Sequence, residues 1–341
     1  MVFDPLLNPS TISRIPPVVN SYSKKWISIA PMMERTDRHC RYFHRLLAPD
    51  IRLYTEMVVA TAVIQGDQQK LLGFDPLEKP LALQLGGSDP AQLASAARIG
   101  EEWGYDEINL NIGCPSDRVQ SGRFGACLMA KPALVAAGVK AMVDAVSVPV
   151  TVKTRIGIDA HDEYEYLANF VGIVADAGCG MFIVHARKAI LAGLSPKENR
   201  SIPPLRYDVV YRLQRDFPDL QIVLNGGVRI TTEVDSHLTQ VNGVMVGRQA
   251  YSNPYWLTEL QSRLHTLKTH WQPPSRENII MQMAEYAGRE WSKGTRLHHI
   301  SRHMLGLYAG QPGARAWRRF VSEGAADRHA KPELLLKSIA H

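Results

Sequence analysis

The residues best able to do chemistry in this chain of 341 residues stand at the ends of short apolar runs. Cys114 closes one of them within Asn111-Ile-Gly-Cys-Pro115, where Gly113 turns the chain and Pro115 stops it. A thiol with an ordinary pKa of ~8.5 is mostly protonated at neutral pH and can donate a proton. Packed into a core it would only be a small hydrophobe, as Cys127 and Cys179 are expected to be. Side chains alternate along an extended run, so residues two apart share a face. Lys153 then opposes Val150 and Val152, His185 opposes Phe182 and Val184, and Gln84 opposes Leu83 and Leu85. Gln84, Asn111, Lys153, His185 and Asn225 form a polar set drawn from five different runs. Unpartnered polar groups on a buried face are costly, so such a set requires a polar ligand. Two further run ends, Asn225-Gly-Gly227 and Gly247-Arg248, let backbone N–H groups and a guanidinium approach phosphate oxygens, although tight turns alone would also use those glycines. One phosphate plus a ring whose acceptors Lys153 and Gln84 can hold describes flavin mononucleotide (FMN).

The elements that must position these groups repeat one theme. Apolar, β-branched runs at 27–33, 53–58, 81–87, 107–114, 148–157, 181–187, 221–228 and 243–248 read as strands. Helix-like segments separate most of them, such as 89–103 with its Asp-Pro start and 132–146 with Pro in its first turn. Strand and helix in alternation, without hairpin signals, imply parallel pairing through right-handed crossovers. Eight such units predict an α/β chain folded as a (β/α)8 TIM barrel, with its site at the C-terminal strand ends. A doubly wound sheet would offer a GxGxxG turn after its first strand, and none is present. Past Trp256 the strands stop, and 261–269, 276–293, 297–308 and 333–339 read as helices, with Ser275 as an N-cap. The expected organisation is a loose tail at 1–25, a barrel at 26–260 and a small all-α domain at 261–341.

Hydrophobic residues make up 45% of the chain and charged residues 21%, which excludes a mainly disordered protein. No stretch approaches the ~20 apolar residues of a membrane span, and the N-terminus lacks a secretory pattern. Four cysteines without CxxC or Cys/His spacing suggest a reducing, cytoplasmic setting and no metal. The net charge of +6 is unevenly spread: from residue 261 onward there are 13 Lys and Arg against 6 Asp and Glu, and before it 26 against 27. A basic excess confined to the last 81 residues favours a polyanionic partner, although a solvated basic helical surface would look the same.

The motifs resemble those of the tRNA-dihydrouridine synthases. The matching stretches are Ala30-Pro-Met-Met33, Gln84-Leu-Gly86, Asn109-Leu-Asn-Ile-Gly-Cys-Pro-Ser116, Gly122-Arg-Phe-Gly-Ala126, Val152-Lys-Thr-Arg155, His185-Ala-Arg187, Asn225-Gly-Gly227 and Val246-Gly-Arg248. Gly193-Leu-Ser-Pro-Lys-Glu-Asn-Arg200 and Gly313-Ala-Arg-Ala-Trp-Arg-Arg319 are similar to the A-type branch in particular. The resemblance implies an FMN enzyme that reduces the C5=C6 bond of D-loop uridines in tRNA, at positions 20 and 20a, with NADPH as reductant. Hydride would pass from flavin N5 to C6, and a proton from Cys114 to C5. Pro31, Met32 and Met33 would cover the flavin, while Gln84, Lys153 and His185 would contact its ring and ribityl chain. Asn225, Gly226, Gly227, Gly247 and Arg248 would hold its phosphate. Asn111, Lys197, Glu198, Arg200, Arg315 and Arg318 match positions that touch tRNA around the D-loop and elbow. The chain is expected to act as a monomer. Two rival readings are a flavin barrel acting on a small pyrimidine, similar to dihydroorotate dehydrogenases, and a non-catalytic RNA-binding barrel. The first has no use for the basic C-terminal helices, and the second has none for the inward polar set.

Overall fold

The computed structural model describes residues 25–116, 119, 122–264 and 271–340. Residues 1–24 of the expected tail and 265–269 of one expected helix lie outside them. The eight strands are β1 (Trp26–Ile29), β2 (Leu53–Tyr54), β3 (Leu81–Gly86), β4 (Glu107–Ile112), β5 (Val150–Arg155), β6 (Met181–His185), β7 (Gln221–Asn225) and β8 (Gly243–Val246). All pairings are parallel, in the order β1-β8-β7-β6-β5-β4-β3-β2. A parallel bridge between Ser28 and Arg52 brings the two ends of the sheet together. This is the (β/α)8 barrel that the alternation of elements predicts. Most expected strands overshoot their observed ends. The run 243–248 stops at Val246 because Gly247 and Arg248 belong to the loop and the next helix. The run 53–58 divides, and Val58–Val59 pairs higher up with Leu85 and Gly86.

Alternation along each strand builds two layers. Leu83, Ile108, Leu110, Val152, Phe182, Val184 and Leu224 are buried outward against the helical jacket. That jacket comprises α1 (Arg38–Leu47), α2 (Ala60–Gln65), α3 (Gln68–Leu72), α4 (Pro90–Glu102), α5 (Pro132–Val143), α6 (Tyr164–Asp176), α7 (Tyr207–Asp216) and α8 (Thr231–Leu238). Asp89 caps α4 by accepting from Gln92 N–H at 2.8 Å, and Pro90 occupies the first turn, where no N–H is needed. Inside the barrel, Tyr54, Ala82, Met181, Ile183, Val223 and Met245 form a smaller apolar cluster. Such packing makes the barrel interior a core and leaves its open end to take a ligand.

Helices alone follow: α9 (Arg248–Ser252), α10 (Trp256–Leu264), α11 (Arg276–Trp291), α12 (Leu297–Ser301), α13 (Ala314–Gly324) and α14 (Glu333–Lys337). Ser275 caps α11 as its type suggests. Two expectations need correction. Helix 297–308 ends at Ser301 and gives way to turns that bring Gly306 against the Ser252 carbonyl, where a Cβ would approach to 2.5 Å. Helix α13 was not among the expected helices; it buries Trp317 and Val321 and leaves Arg315, Arg318 and Arg319 exposed.

The C-terminal helices are joined to the barrel through α1. Tyr42 stacks on Tyr286 with ring centroids 3.9 Å apart. Asp37 caps α1 with Oδ1, accepting from His39 and Cys40 N–H at 3.0 Å each, while Arg302 donates to Oδ2 at 2.6 Å. His303 Nε2 lies 3.0 Å from the same oxygen. Burial raises the Asp37 pKa, but the hydrogen bonds from His303, Cys40 N–H and Arg302 outweigh it and hold the carboxyl well below the usual range. With the folded value depressed, the stabilisation is complete above the unfolded pKa of ~3.9 and is lost as pH falls through the folded value. Asp37→Ala should therefore lower the denaturant midpoint by an amount equal to about 2 kcal/mol near neutral pH, and by less in strong acid.

Candidate active site

The site is built where the inward side chains of β5 to β8 outrun the apolar cluster below them. Asn111 and Lys153 are register partners across β4 and β5, and His185 and Asn225 are partners across β6 and β7. At this end a cavity of about 350 Å³ opens, lined by Ala30, Pro31 and Met32 after β1, and by Lys153 and His185. Asn225, Gly226 and Gly227 after β7, Arg229, and Gly247 and Arg248 after β8 complete the wall that matters here. Nine of the eleven expected cofactor residues thus meet on one surface. Met33 is not among them and is 56% exposed, whereas Gln84 is buried at 1% beneath the mouth. Sequence reading passed over Arg229, whose position two residues beyond the glycine pair was the available signal.

The wall carries cations and no carboxylate. Burial, then the Arg155 charge, pulls the Lys153 pKa down to about 7, with the Cys114 sulfur opposing. His185 is pushed well below its ordinary value by burial and then by Arg155 and Lys153, so it is neutral at neutral pH. Its Nδ1 is buried without a hydrogen-bond partner, and no hydrogen bond engages the Lys153 ammonium among the described residues. Gly226 runs at φ 114°, and a Cβ there would lie 3.1 Å from His185 Nε2. Burial and the neighbouring Arg248 and Arg229 likewise lower Arg187, whose guanidinium turns to the Pro203 carbonyl. Unpaired cations around a polar hollow form a receptor for an anion.

Cys114 is partly exposed beside this hollow, and its loop is held by the backbone. Asn111 Oδ1 accepts from the N–H groups of Gly113 at 3.0 Å and Cys114 at 2.9 Å. Arg155 Nε donates to the Gly113 carbonyl at 2.9 Å, and Ala126 N–H donates to the Cys114 carbonyl at 2.9 Å. Gly125, at φ 76°, lets that contact form, since a Cβ there would strike the Cys114 carbonyl at 2.6 Å. Among the described residues the sulfur's hydrogen bond is to Ser116 Oγ, at 3.5 Å. A thiol held this way can exchange a proton with whatever enters the mouth.

Known proteins are similar to this chain in sequence. The family described as Dihydrouridine synthase (Dus) matches residues 28–340. The chain belongs to the dihydrouridine synthase family. It is an oxidoreductase, and the resemblance read from the motifs, the A-type stretches included, is borne out. A tRNA-dihydrouridine(20/20a) synthase of Synechocystis sp. is 58% identical over 309 residues, covering 91% of this chain and 92% of that protein. Proteins of the same description from Xanthomonas axonopodis pv. citri and Vibrio cholerae are 56% and 54% identical over 313 and 315 residues. Each spans 92% of this chain, with 92% and 95% of their own lengths matched.

In this dihydrouridine synthase the segment with Lys197, Glu198 and Arg200 is anchored from below. Asn199, fully buried, donates to the carbonyls of Ile190 at 2.9 Å and Leu194 at 3.1 Å. Arg155 Nη1 donates to the Asn199 and Lys188 carbonyls at 3.0 Å each. Arg155 therefore ties this segment to the Cys114 loop, a role its inward phase hinted at but did not specify. Lys197 and Arg200 remain exposed, and Arg248 Nη2 donates to the Arg200 carbonyl at 3.1 Å. Glu198 Oε2 accepts from Ser195 N–H at 2.9 Å and its hydroxyl at 2.7 Å, which keeps the carboxyl below its ordinary pKa and the turn closed. Arg315 and Arg318 stand exposed on α13, three residues apart on one face and away from the cavity wall. Among the described residues no three His, Cys, Asp or Glu side chains gather as a metal would need, and no helix is long and apolar enough to cross a membrane.

Proposed function

We propose that this protein is an FMN-dependent, NADPH-linked enzyme that reduces the C5=C6 bond of D-loop uridines in tRNA, at positions 20 and 20a, in the cytoplasm. One observation carries the reading: a cationic, carboxylate-free cavity at the barrel mouth, with an unpartnered His185 Nδ1 and a partly exposed thiol on the neighbouring strand end. FMN fits these residues. Its phosphate suits Arg248 and the N–H groups of Gly226, Gly227 and Gly247; its ring and ribityl chain offer acceptors to Lys153, Gln84 and a donor-bearing His185; Pro31 and Met32 flank it, while Met33 stands off the wall. The relatives' names supply the tRNA positions.

When bound, reduced FMN supplies a hydride from N5. The chain's own residues perform the remaining tasks. The Cys114 Sγ–H donates a proton to C5 of the uracil, and the Asn111 and Arg155 hydrogen bonds hold the sulfur's loop in place for it. The cations of the mouth favour the negative charge that builds on the uracil O4 side as its double bond is reduced. The uridine must be swung out of the tRNA stack to enter. Lys197, Arg200, Arg315 and Arg318 position the polyanion by phosphate contacts, Asn111 faces the base, and Glu198 keeps its loop in shape. We assign residues 261–341 to tRNA binding and 26–260 to catalysis.

The test is direct. The purified protein should be yellow and should oxidise NADPH when tRNA is added, and tRNA from cells lacking it should lose dihydrouridine at positions 20 and 20a. A colourless protein, unchanged dihydrouridine at those positions, or faster reduction of a free pyrimidine than of tRNA would overturn the reading. Arg315→Ala and Arg318→Ala should each lower tRNA affinity and flatten the slope of log affinity against log salt by about one, with flavin content unchanged. Equal slopes for variant and parent in filter binding would remove α13 from the interface.

A further inference from the structure

A continuous chain of hydrogen bonds runs through the barrel from its closed end to the Cys114 loop, and both of its ends have fixed polarity. At the closed end Glu107, fully buried, is paired with Arg52, whose Nη1 donates to Oε2 at 2.8 Å. Its Oε1 accepts from Tyr54 Oη at 2.8 Å and from Thr151 Oγ1 at 2.6 Å. Thr151 Oγ1 accepts from Asn109 Nδ2 at 2.8 Å, Asn109 Oδ1 from Gln84 Nε2 at 2.7 Å, and Gln84 Oε1 from Asn111 Nδ2 at 2.8 Å. Asn111 Oδ1 then accepts from the Gly113 and Cys114 N–H groups. An ionised carboxylate can only accept and a backbone N–H can only donate. Working inward from either end gives the same orientation for all three amides, so none can turn over without setting donor against donor in a buried site. Asn109, Gln84 and Thr151 are each no more than 1% exposed, where such a mismatch is costly.

We propose that Glu107, acting through Thr151 and Asn109, is a positioning residue for the reaction. It touches neither cofactor nor substrate. It fixes which edge of the Gln84 and Asn111 amides is donor and which is acceptor, leaving each one N–H for an acceptor in the mouth, and it steadies the oxygen that holds the Cys114 loop. Barrel interiors are ordinarily filled by branched apolar residues, so this polar column needs a function to justify it. Thr151 is the link to cut, because Val has the same shape and leaves the Glu107–Arg52 pair intact.

The inference rests on the flavin reading above, and the experiment separates the two. FMN-loaded protein carrying Thr151→Val is compared with parent, Thr151→Ser and Glu107→Gln. Thr151→Val should lower the rate of uridine reduction by about 10- to 100-fold with the tRNA KM unchanged. It should also shift the visible absorption band of the bound flavin and speed iodoacetamide alkylation of Cys114, read peptide by peptide. Thr151→Ser restores the hydroxyl and should return all of these to the parental values. Glu107→Gln, which keeps an oxygen for Thr151 but drops the charge, should shift the band in the same direction by less. If flavin band and alkylation rate are unmoved in both Thr151→Val and Glu107→Gln, even with a lower melting temperature, the column is packing alone and the proposal fails. A colourless parent protein would instead fail the flavin reading.

Discussion

Cys114→Ala is expected to leave the protein yellow while uridine reduction falls by about 10²- to 10⁴-fold, the share of a well-placed proton donor. Flavin retention follows from the geometry. Cys114 is not on the cavity wall, and its loop is held by Asn111, Arg155 and Ala126 through main-chain atoms that Ala also possesses. The hydrogen bond that the sulfur makes among the described residues, to Ser116 Oγ at 3.5 Å, comes from a weak S–H donor and contributes little to stability. Reduction of the bound flavin by NADPH alone should therefore proceed at the parental rate, and only the step that consumes tRNA should slow. Cys114→Ser should recover little, because a hydroxyl is a far weaker acid than a thiol. Rapid mixing of pre-reduced enzyme with tRNA, following flavin reoxidation, measures the step directly. Parental reoxidation in the Ala variant would move the proton to another donor and remove Cys114 from the reaction.

The barrel was legible in the sequence because each strand writes its own signature. Ile108, Leu110 and Ile112 alternate with Asn109 and Asn111, and the structure turns the first set to the helices and the second to the interior. The glycine-bearing ends of β7 and β8 were legible for the same reason: turn residues stand directly after apolar runs. What was not legible depends on contacts distant in the chain. Arg155, two residues beyond Lys153, shares its inward face by alternation, but nothing local says that its guanidinium reaches Gly113, Lys188 and Asn199 at once. Asn199, inside the Gly193–Arg200 stretch, was given no role of its own and is a fully buried anchor. Helix α13 is the exception: Trp317, Phe320 and Val321 stand at helical spacing against the exposed Arg315, Arg318 and Arg319, so its amphipathic pattern was there to be read. Glu107 was hidden most deeply, since a carboxylate at a strand start reads as solvent-facing until Arg52, Tyr54 and Thr151 are seen around it.

Flavin binding to the protein freed of FMN should take up close to one proton per site at pH 8 to 9, and its apparent affinity should fall by up to about tenfold per pH unit above pH 7. The cause is Lys153. Burial, then Arg155, holds its pKa at about 7 against an ordinary 10.5, with Cys114 opposing, so in mildly alkaline solution the empty pocket carries a neutral amine. The sign for stability follows. Between about 7 and 10.5 the unfolded chain holds a proton that the folded chain does not, so the FMN-free protein should grow more stable as pH rises through that window. An anionic ligand beside Lys153 reverses the balance by favouring the ammonium. Binding then draws a proton from solution, and the affinity weakens as pH climbs because that proton becomes harder to obtain. Titration calorimetry in buffers of differing ionisation enthalpy measures the uptake. Lys153→Met should abolish both the uptake and the alkaline loss of affinity, and should bind FMN weakly throughout; Lys153→Arg should bind with no uptake because its charge is permanent. Binding by the parent protein without proton uptake at pH 8.5 would mean that Lys153 keeps one protonation state whether or not FMN is bound, and the coupling between the lysine and the flavin would be struck out.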